Sequence, residues 1–568
     1  MINRFKERFD GFTNTVLRFP LTMIFLVAWA IMNFVRLTSY DYIDYNEYAY
    51  AFLIGACSYV VLQVLYETFF KDRVTIRYAF MGLSVLFSII YFSLVRSREP
   101  GVEFAIRTAI ILFILLIAFL WIPTIKRKVS FNETFLVSFG AFFTVVLFGA
   151  LLYLGIILII STIDNLIVSV NGPYYEHVAN VIILLYAPIH FLSLIPVYDE
   201  GEEKKPTKFL TNLISYVFIP ISGIFTIILL LYIILNIRGD FWTDNILEPM
   251  LVSYSISVIL IYILASQIDN IFSSLYRKII PKVLIPIVLF QTISSLLKIG
   301  ELGITLGRYY VIMFGVFAVI AGIIFSILPV KKNGIIAPIL IGLSIISILP
   351  PLDAFTISRK SQIGRLERVL VDNEMLEGDI LRADGSLLEQ DKEVIRNSIS
   401  YLENMDYIKN IVWLDEYYNY HNFEATFGFP RYDYVDHEKT FKSFWRSDSI
   451  IKVTGHDYIM EGSINYDNPS YEVGSFKKDN DEYYLYFSED ESAVILYEEE
   501  RELIRFSINE FFYRFEKRDS DDYNLSNADA SFRVENEEAI LTIIAENVYL
   551  DMSDEYRDAS FYILIGIK

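Results

Sequence analysis

Apolar and polar positions alternate along this chain on two different scales. Up to residue 352, apolar runs of about 20 residues are separated by short charged breaks; beyond it, the runs shrink to about five to eight residues. A bilayer core takes about 20 mostly apolar residues per helix. Eleven segments fit, roughly 16–35, 48–70, 78–95, 103–125, 134–162, 177–196, 212–236, 248–268, 280–298, 309–328 and 334–352. The fifth is longer than a normal span and calls for tilt or extension past the bilayer. Pro20, Pro188, Pro220, Pro286 and Pro338 lie in or near these runs, where membrane helices tolerate them. The first run, "VLRFPLTMIFLVAWAIMNFV", follows Arg4, Lys6 and Arg8 as a signal peptide would. It has no small-x-small cleavage site, so it is expected to stay as a first helix.

After residue 352 the pattern is that of an α+β, mostly antiparallel-β soluble domain. "SLLEQDKEVIRNSISYLENM" (386–405) carries apolar residues at helical spacing and a capping box of Ser386 with Glu389, which predicts an amphipathic helix. "YEVGSF", "YYLYF", "AVILY", "IRFSI", "FFYRF", "ASFRV", "AILTIIA" and "SFYILIGI" then follow at about ten-residue spacing, and each predicts a strand. "KKDNDE" and "SEDES" supply hairpin turns. The expected organisation is a multi-pass α-helical membrane domain with about 11 transmembrane helices over 1–352, an amphipathic junction and helical segment over 353–410, and an acidic β-rich domain over 411–568.

Charge sharpens this division. The chain's net charge of −20 comes from its C-terminal part: residues 1–352 carry 21 acidic and 25 basic side chains, residues 353–568 carry 47 and 23. So acidic a surface repels nucleic acid, and no nucleic-acid partner is expected. Loop cations set orientation. With the N-terminus inside, the cytoplasmic breaks hold 18 Lys and Arg and the opposite ones hold 6, Arg36, Arg96, Arg98, Arg238, Lys298 and Arg308. The bias alternates through all eleven segments, which puts the C-terminal domain outside. Arg359, Lys360, Arg365 and Arg368 then stand on the outer side, against the rule. A helix with Ile363, Leu366, Val369 and Leu370 on its apolar face, its cations snorkelling to headgroups, would accommodate them.

Candidate chemistry is sparse. There is no P-loop, dinucleotide fingerprint, Gly-x-Ser-x-Gly or HExxH. Cys57 is the single cysteine, and the five histidines have no ligand spacing, so neither a metal site nor a cofactor is expected. Asn33, Asn180, Gln267 and Gln291 read as interhelical hydrogen-bonding residues. Asp41 and Asp44, in the first outer loop "RLTSYDYIDYNEY", are the alternative catalytic pair, for a membrane enzyme acting on a lipid-linked substrate; a transporter is the third possibility.

Two stretches carry a resemblance. "ELGITLGRYYVIMFGVF" (301–317) has a Gly-x-Thr-x-x-Arg-Tyr signature at Gly303, Thr305, Arg308 and Tyr309. "PLDAFTISRKSQIGRLERVL" (351–370) has Ser-Arg-x-Ser-Gln-x-x-Arg-Leu at Ser358, Arg359, Ser361, Gln362, Arg365 and Leu366. With "FPLTM" and "FIPISGIFTIILLLYIIL" (218–235), these resemble the bacterial polytopic membrane protein family called domain of unknown function 4153, over residues 1 to about 370. The family brings no activity with it. Two readings of Arg308 and the Ser358–Arg368 segment stay open: they meet at the outer face and clamp the external domain to the membrane domain, or each anchors its helix to lipid headgroups. The sequence thus points to a multi-pass protein of the bacterial cytoplasmic membrane with no evident catalytic site. Its partners are the lipid bilayer and, through the aromatic-rich C-terminal domain, envelope proteins or glycans, for sensing, assembly or interaction.

Overall fold

The computed structural model describes residues 11–38, 46–96, 101–126, 129–168, 172–198, 206–236, 247–415, 417–431, 441–447, 450–465, 471–479, 481–488, 492–499, 501–518, 523–551 and 556–568. They form two compact units, Met1–Phe429 and Pro430–Lys568.

The first unit is a helical membrane bundle with a small cap. Ten helices among the described residues are long and apolar enough to cross a bilayer: α1 Pro20–Thr38, α2 Asn46–Phe69, α3 Val74–Arg96, α4 Val102–Lys126, α5 Phe131–Leu166, α6 Pro173–Leu194, α7 Lys208–Leu235, α8 Leu247–Ala265, α9 Ile271–Leu297 and α10 Leu306–Ile327. Their surface is studded with exposed Leu, Ile, Val and Phe, such as Leu158, Ile159, Ile234 and Leu235, an apolar surface suited to lipid. At 36 residues, α5 is about 54 Å long, well beyond the hydrocarbon thickness.

The eleventh segment is shorter than expected. A 3₁₀ stretch, Val330–Ile335, leads into α11, Ile336–Ile346, of 11 residues. Pro350 and Pro351 follow closely and prevent the helix from continuing. Hydrogen bonds nevertheless tie its two ends to opposite ends of the bundle. At its start, Asn333 Nδ2 donates to Asn132 Oδ1 (3.3 Å), at the N-terminus of α5, near which Gln267 donates to Ser130 (3.0 Å). Beyond its end, the carbonyls of Ile348 and Leu352 accept from Arg107, near the start of α4, and from Tyr309, near the start of α10. Residues 330–353 therefore run between the same two levels as α4 and α10.

Two wide π-turns interrupt the helices, Ile182–Tyr186 in α6 and Ile214–Phe218 in α7. Each ends two residues before a proline, Pro188 and Pro220. The ring has no N–H to give and crowds the carbonyl four residues back, and the wider turn relieves that crowding. Polar side chains join helices as expected: Asn33 donates to Asn180 (2.9 Å), which donates to the Ala30 carbonyl (2.9 Å). Gln291 differs, its buried amide having no hydrogen-bond partner among the described residues.

The cap comprises α12 Ala354–Asp372, a two-residue hairpin β1 Leu376–Glu377 and β2 Ile380–Leu381, α13 Glu389–Asn404 and the short α14 Phe423–Phe427. The apolar face of α12 is real but turns to protein rather than lipid. Leu366 and Leu370 are fully buried in one cluster with Ile395, Ile399 and Leu402 of α13, and Ile363 and Val369 pack against it. The capping box is absent. Leu388 is the N-cap residue of α13 without a side-chain bond, while the Ser386 hydroxyl donates to Asp384 (2.7 Å).

The second unit is mostly antiparallel. One sheet is the meander β5 Tyr471–Lys478, β6 Asp481–Ser488, β7 Ala493–Glu498, β8 Arg501–Ser507. The other is ordered β4 Tyr458–Asn465, β12 Tyr556–Ile567, β11 Ala539–Asp551, β3 Phe441–Arg446 and β9 Asn524–Leu525, with β10 Ser531–Glu535 also on β11; β3 and β9 pair in parallel. "FFYRF" is not a strand. Ser507 caps a helix, α15 Ile508–Glu516, with Ile508, Phe511, Phe512 and Phe515 all buried. Their i, i+3, i+4, i+7 spacing is helical, and aromatic density had suggested β.

Candidate functional site

The break between α9 and α10 is shaped by a few residues. The single helical turn Ile299–Leu302 ends at Gly303, whose φ of 68° and ψ of −179° lie where essentially only glycine goes. A Cβ there would sit 2.7 Å from Gln362 Nε2. Thr305 then caps α10, its Oγ1 accepting the Arg308 amide at 3.3 Å. The Arg308 side chain, 9% exposed, folds back so that Nη1 donates to the Gly303 carbonyl at 2.9 Å. Its buried Nε has no hydrogen-bond partner among the described residues.

Helix α12 lies along this turn. Ser361 Oγ accepts the Ile304 amide (2.8 Å), and Gln362 Nε2 donates to the carbonyls of Leu302 (3.0 Å) and Ile304 (3.4 Å). Tyr401 of α13 accepts the Leu306 amide through its hydroxyl (2.9 Å). Arg365 lays its stem against Gly303 and donates to the Ser398 hydroxyl (3.3 Å). Burial and the neighbouring Arg308 guanidinium lower the Arg365 pKa, and Glu393 opposes them. The Gly-x-Thr-x-x-Arg-Tyr and Ser-Arg-x-Ser-Gln-x-x-Arg-Leu stretches are therefore bonded to each other.

The start of α12 has its own anchor. Asp353, with no exposed side-chain surface, caps the helix by accepting the amides of Phe355 (3.2 Å) and Thr356 (3.1 Å). Arg107 Nη2 reaches the same carboxylate at 3.0 Å and Glu103 at 2.7 Å, Nη1 donates to the Ile348 carbonyl, and the guanidinium lies 4.4 Å from the Phe355 ring centroid. Burial pushes the Asp353 carboxyl up, but the hydrogen bonds of Thr356 and Phe355, with Arg107, outweigh it and hold the group below its ordinary value. The Tyr309 hydroxyl donates to the Leu352 carbonyl (2.6 Å).

Of the other residues singled out by sequence, Ser358 bonds within its own helix, to the Phe355 carbonyl (3.3 Å), and the Arg359 guanidinium lies over the Tyr407 ring at 5.3 Å. Asp41 and Asp44 lie outside the described residues. Sequence reasoning missed three members of the seam. Asp353 carried a signal, an Asp directly before an amphipathic run. Arg107 carried one too, as an ionisable group inside an apolar run. Tyr401 gave none. Nearly every polar atom described here is engaged with backbone or with a fixed neighbour, an arrangement suited to holding segments in register.

No curated protein matches the chain, and no solved structure matches it. One family profile does, over residues 21–387, which takes in the helices, both interlocked stretches and the start of the cap. The chain is an integral membrane protein and belongs to the family described as a domain of unknown function (DUF4153).

Proposed function

We propose that this protein is a non-enzymatic component of the bacterial cytoplasmic membrane, whose bundle presents the cap and the C-terminal β unit outside the cell for sensing, assembly or interaction. The observation that carries this reading is the 18-to-6 division of cations between alternate breaks, which puts Lys331 and Lys332 inside, so that residues 330–353, crossing as the eleventh segment, bring the chain out. The bonds from Asn333 to Asn132 and from Arg107 to Ile348 support that crossing. The seam between the Gly303 turn and α12 serves as the clamp, fixing the exit of the chain so that the cap leaves the bundle at a set angle. The exposed aromatic and acidic side chains of the C-terminal unit are then available to envelope proteins or glycans.

Topology tests this directly. In a Cys57→Ser background, a single cysteine at Ser475, on β5, is exposed to an impermeant maleimide in intact cells or spheroplasts. Labelling without lysis is the expected result. Labelling only after lysis would place the acidic unit in the cytoplasm and end the proposal.

A further inference from the structure

A second feature of the bundle lies away from the seam. Helices α1, α2, α5 and α6 line an open cleft of about 450 Å³, within the range of small-molecule sites. Two facing stripes line it at helical spacing. On α1 these are Trp29, Asn33 and Arg36; on α6 they are Glu176, Asn180, Ile183 and Leu184. Both stripes run from apolar at depth to charged at the outer end, where Asn46 of α2 and Tyr175 join the lining. The Asn33–Asn180 hydrogen bond fixes the two helices against each other midway. The floor residues Ile183 and Leu184 belong to the π-turn of α6, a local geometry frequently found at functional sites.

This lining is amphipathic in the direction of a lipid standing in the bilayer. Among the described residues it also carries one cation, Arg36, and one anion, Glu176, at its mouth, where the two charged groups of a zwitterionic headgroup would lie. We propose that the cleft binds a zwitterionic phospholipid of the outer leaflet, with Arg36 taking the phosphate and Glu176 the ammonium group. A lipid with the phosphate alone, such as phosphatidylglycerol, would satisfy Arg36 and leave Glu176 without a counter-charge.

The test uses the full chain in a polyoxyethylene-ether detergent, titrated with phosphatidylethanolamine or phosphatidylglycerol of identical acyl chains, with the melting temperature as readout. Phosphatidylethanolamine is expected to stabilise saturably and at about tenfold lower concentration than phosphatidylglycerol. Arg36→Gln should weaken both responses by about tenfold, with Arg36→Lys restoring part of them. Glu176→Gln should erase only the preference between the lipids. Both side chains are exposed, so neither substitution threatens the fold. Equal stabilisation by both lipids in the unaltered chain would overturn the proposal. So would a preference that survives Glu176→Gln, or full stabilisation by an alkyl glycoside that neither variant alters.

Discussion

Gly303 carries more of the seam than its lack of a side chain suggests. Its backbone conformation is closed to other residues, and the space a methyl would need is taken by the Gln362 amide. Gly303→Ala is expected to destabilise the first unit by on the order of 1–3 kcal/mol from strain, with the Gln362 bonds lost in addition. A melting temperature and a proteolysis rate for the cap equal to those of the parent would refute this. Asp353 makes the seam sensitive to acid. Its native pKa is depressed, so its contribution is complete above the ordinary value of 3.8 and disappears as pH falls below that through the native value. Protease resistance of the cap should therefore drop below about pH 4. Asp353→Asn should flatten that response and cost about 1 kcal/mol or more at neutral pH. An unchanged acid profile in the variant would assign the loss to other carboxylates.

The contrast between what the sequence conveyed and what it withheld is clearest among the elements. The membrane helices were legible because each must satisfy its backbone internally over a known thickness, which leaves a long apolar run as its signature. The eleventh was legible as a run but not as a shortened helix, since Asn333, Gly334 and the two prolines reshape its ends without altering its hydropathy. α15 was misread because five aromatic-rich residues fit either period when taken alone; adding Ile508 and the Ser507 cap resolves them. The partners of α12 were hidden for another reason. An amphipathic face fits lipid and protein equally, and only folding brings α13 to it. Phe511, fully buried in α15, offers the test: Phe511→Ala should cost about 3–5 kcal/mol and leave residues 430–568 readily digested. Retained resistance there would mean that α15 contributes little to that unit's core.

For the whole molecule, orientation depends on small charges at the ends of the segments. In the proposed orientation, Lys331 and Lys332 are the cations at the inner start of the eleventh crossing. Each is worth on the order of 1 kcal/mol next to an anionic leaflet. Replacing both by Glu should convert part of the population to a form in which the Ser475 cysteine is labelled only after lysis. An undiminished labelled fraction would show that the crossing is fixed by its packing against α4 and α10 instead.

The π-turn in α6 also bears on how the chain tolerates length changes. A π-turn amounts to one residue added to an α-helix, so the helix before it and the helix after it keep the faces they would have without it. A one-residue deletion between Ile182 and Tyr186 would close the turn to α geometry and leave both flanks in phase, at the cost of restoring the crowding by the Pro188 ring. The same deletion anywhere else in α6 would rotate everything beyond it by about 100° and turn lipid-facing side chains into the bundle. The wide turn thus makes α6 a ratchet with one spare tooth, where a membrane helix can lose a codon without losing its place.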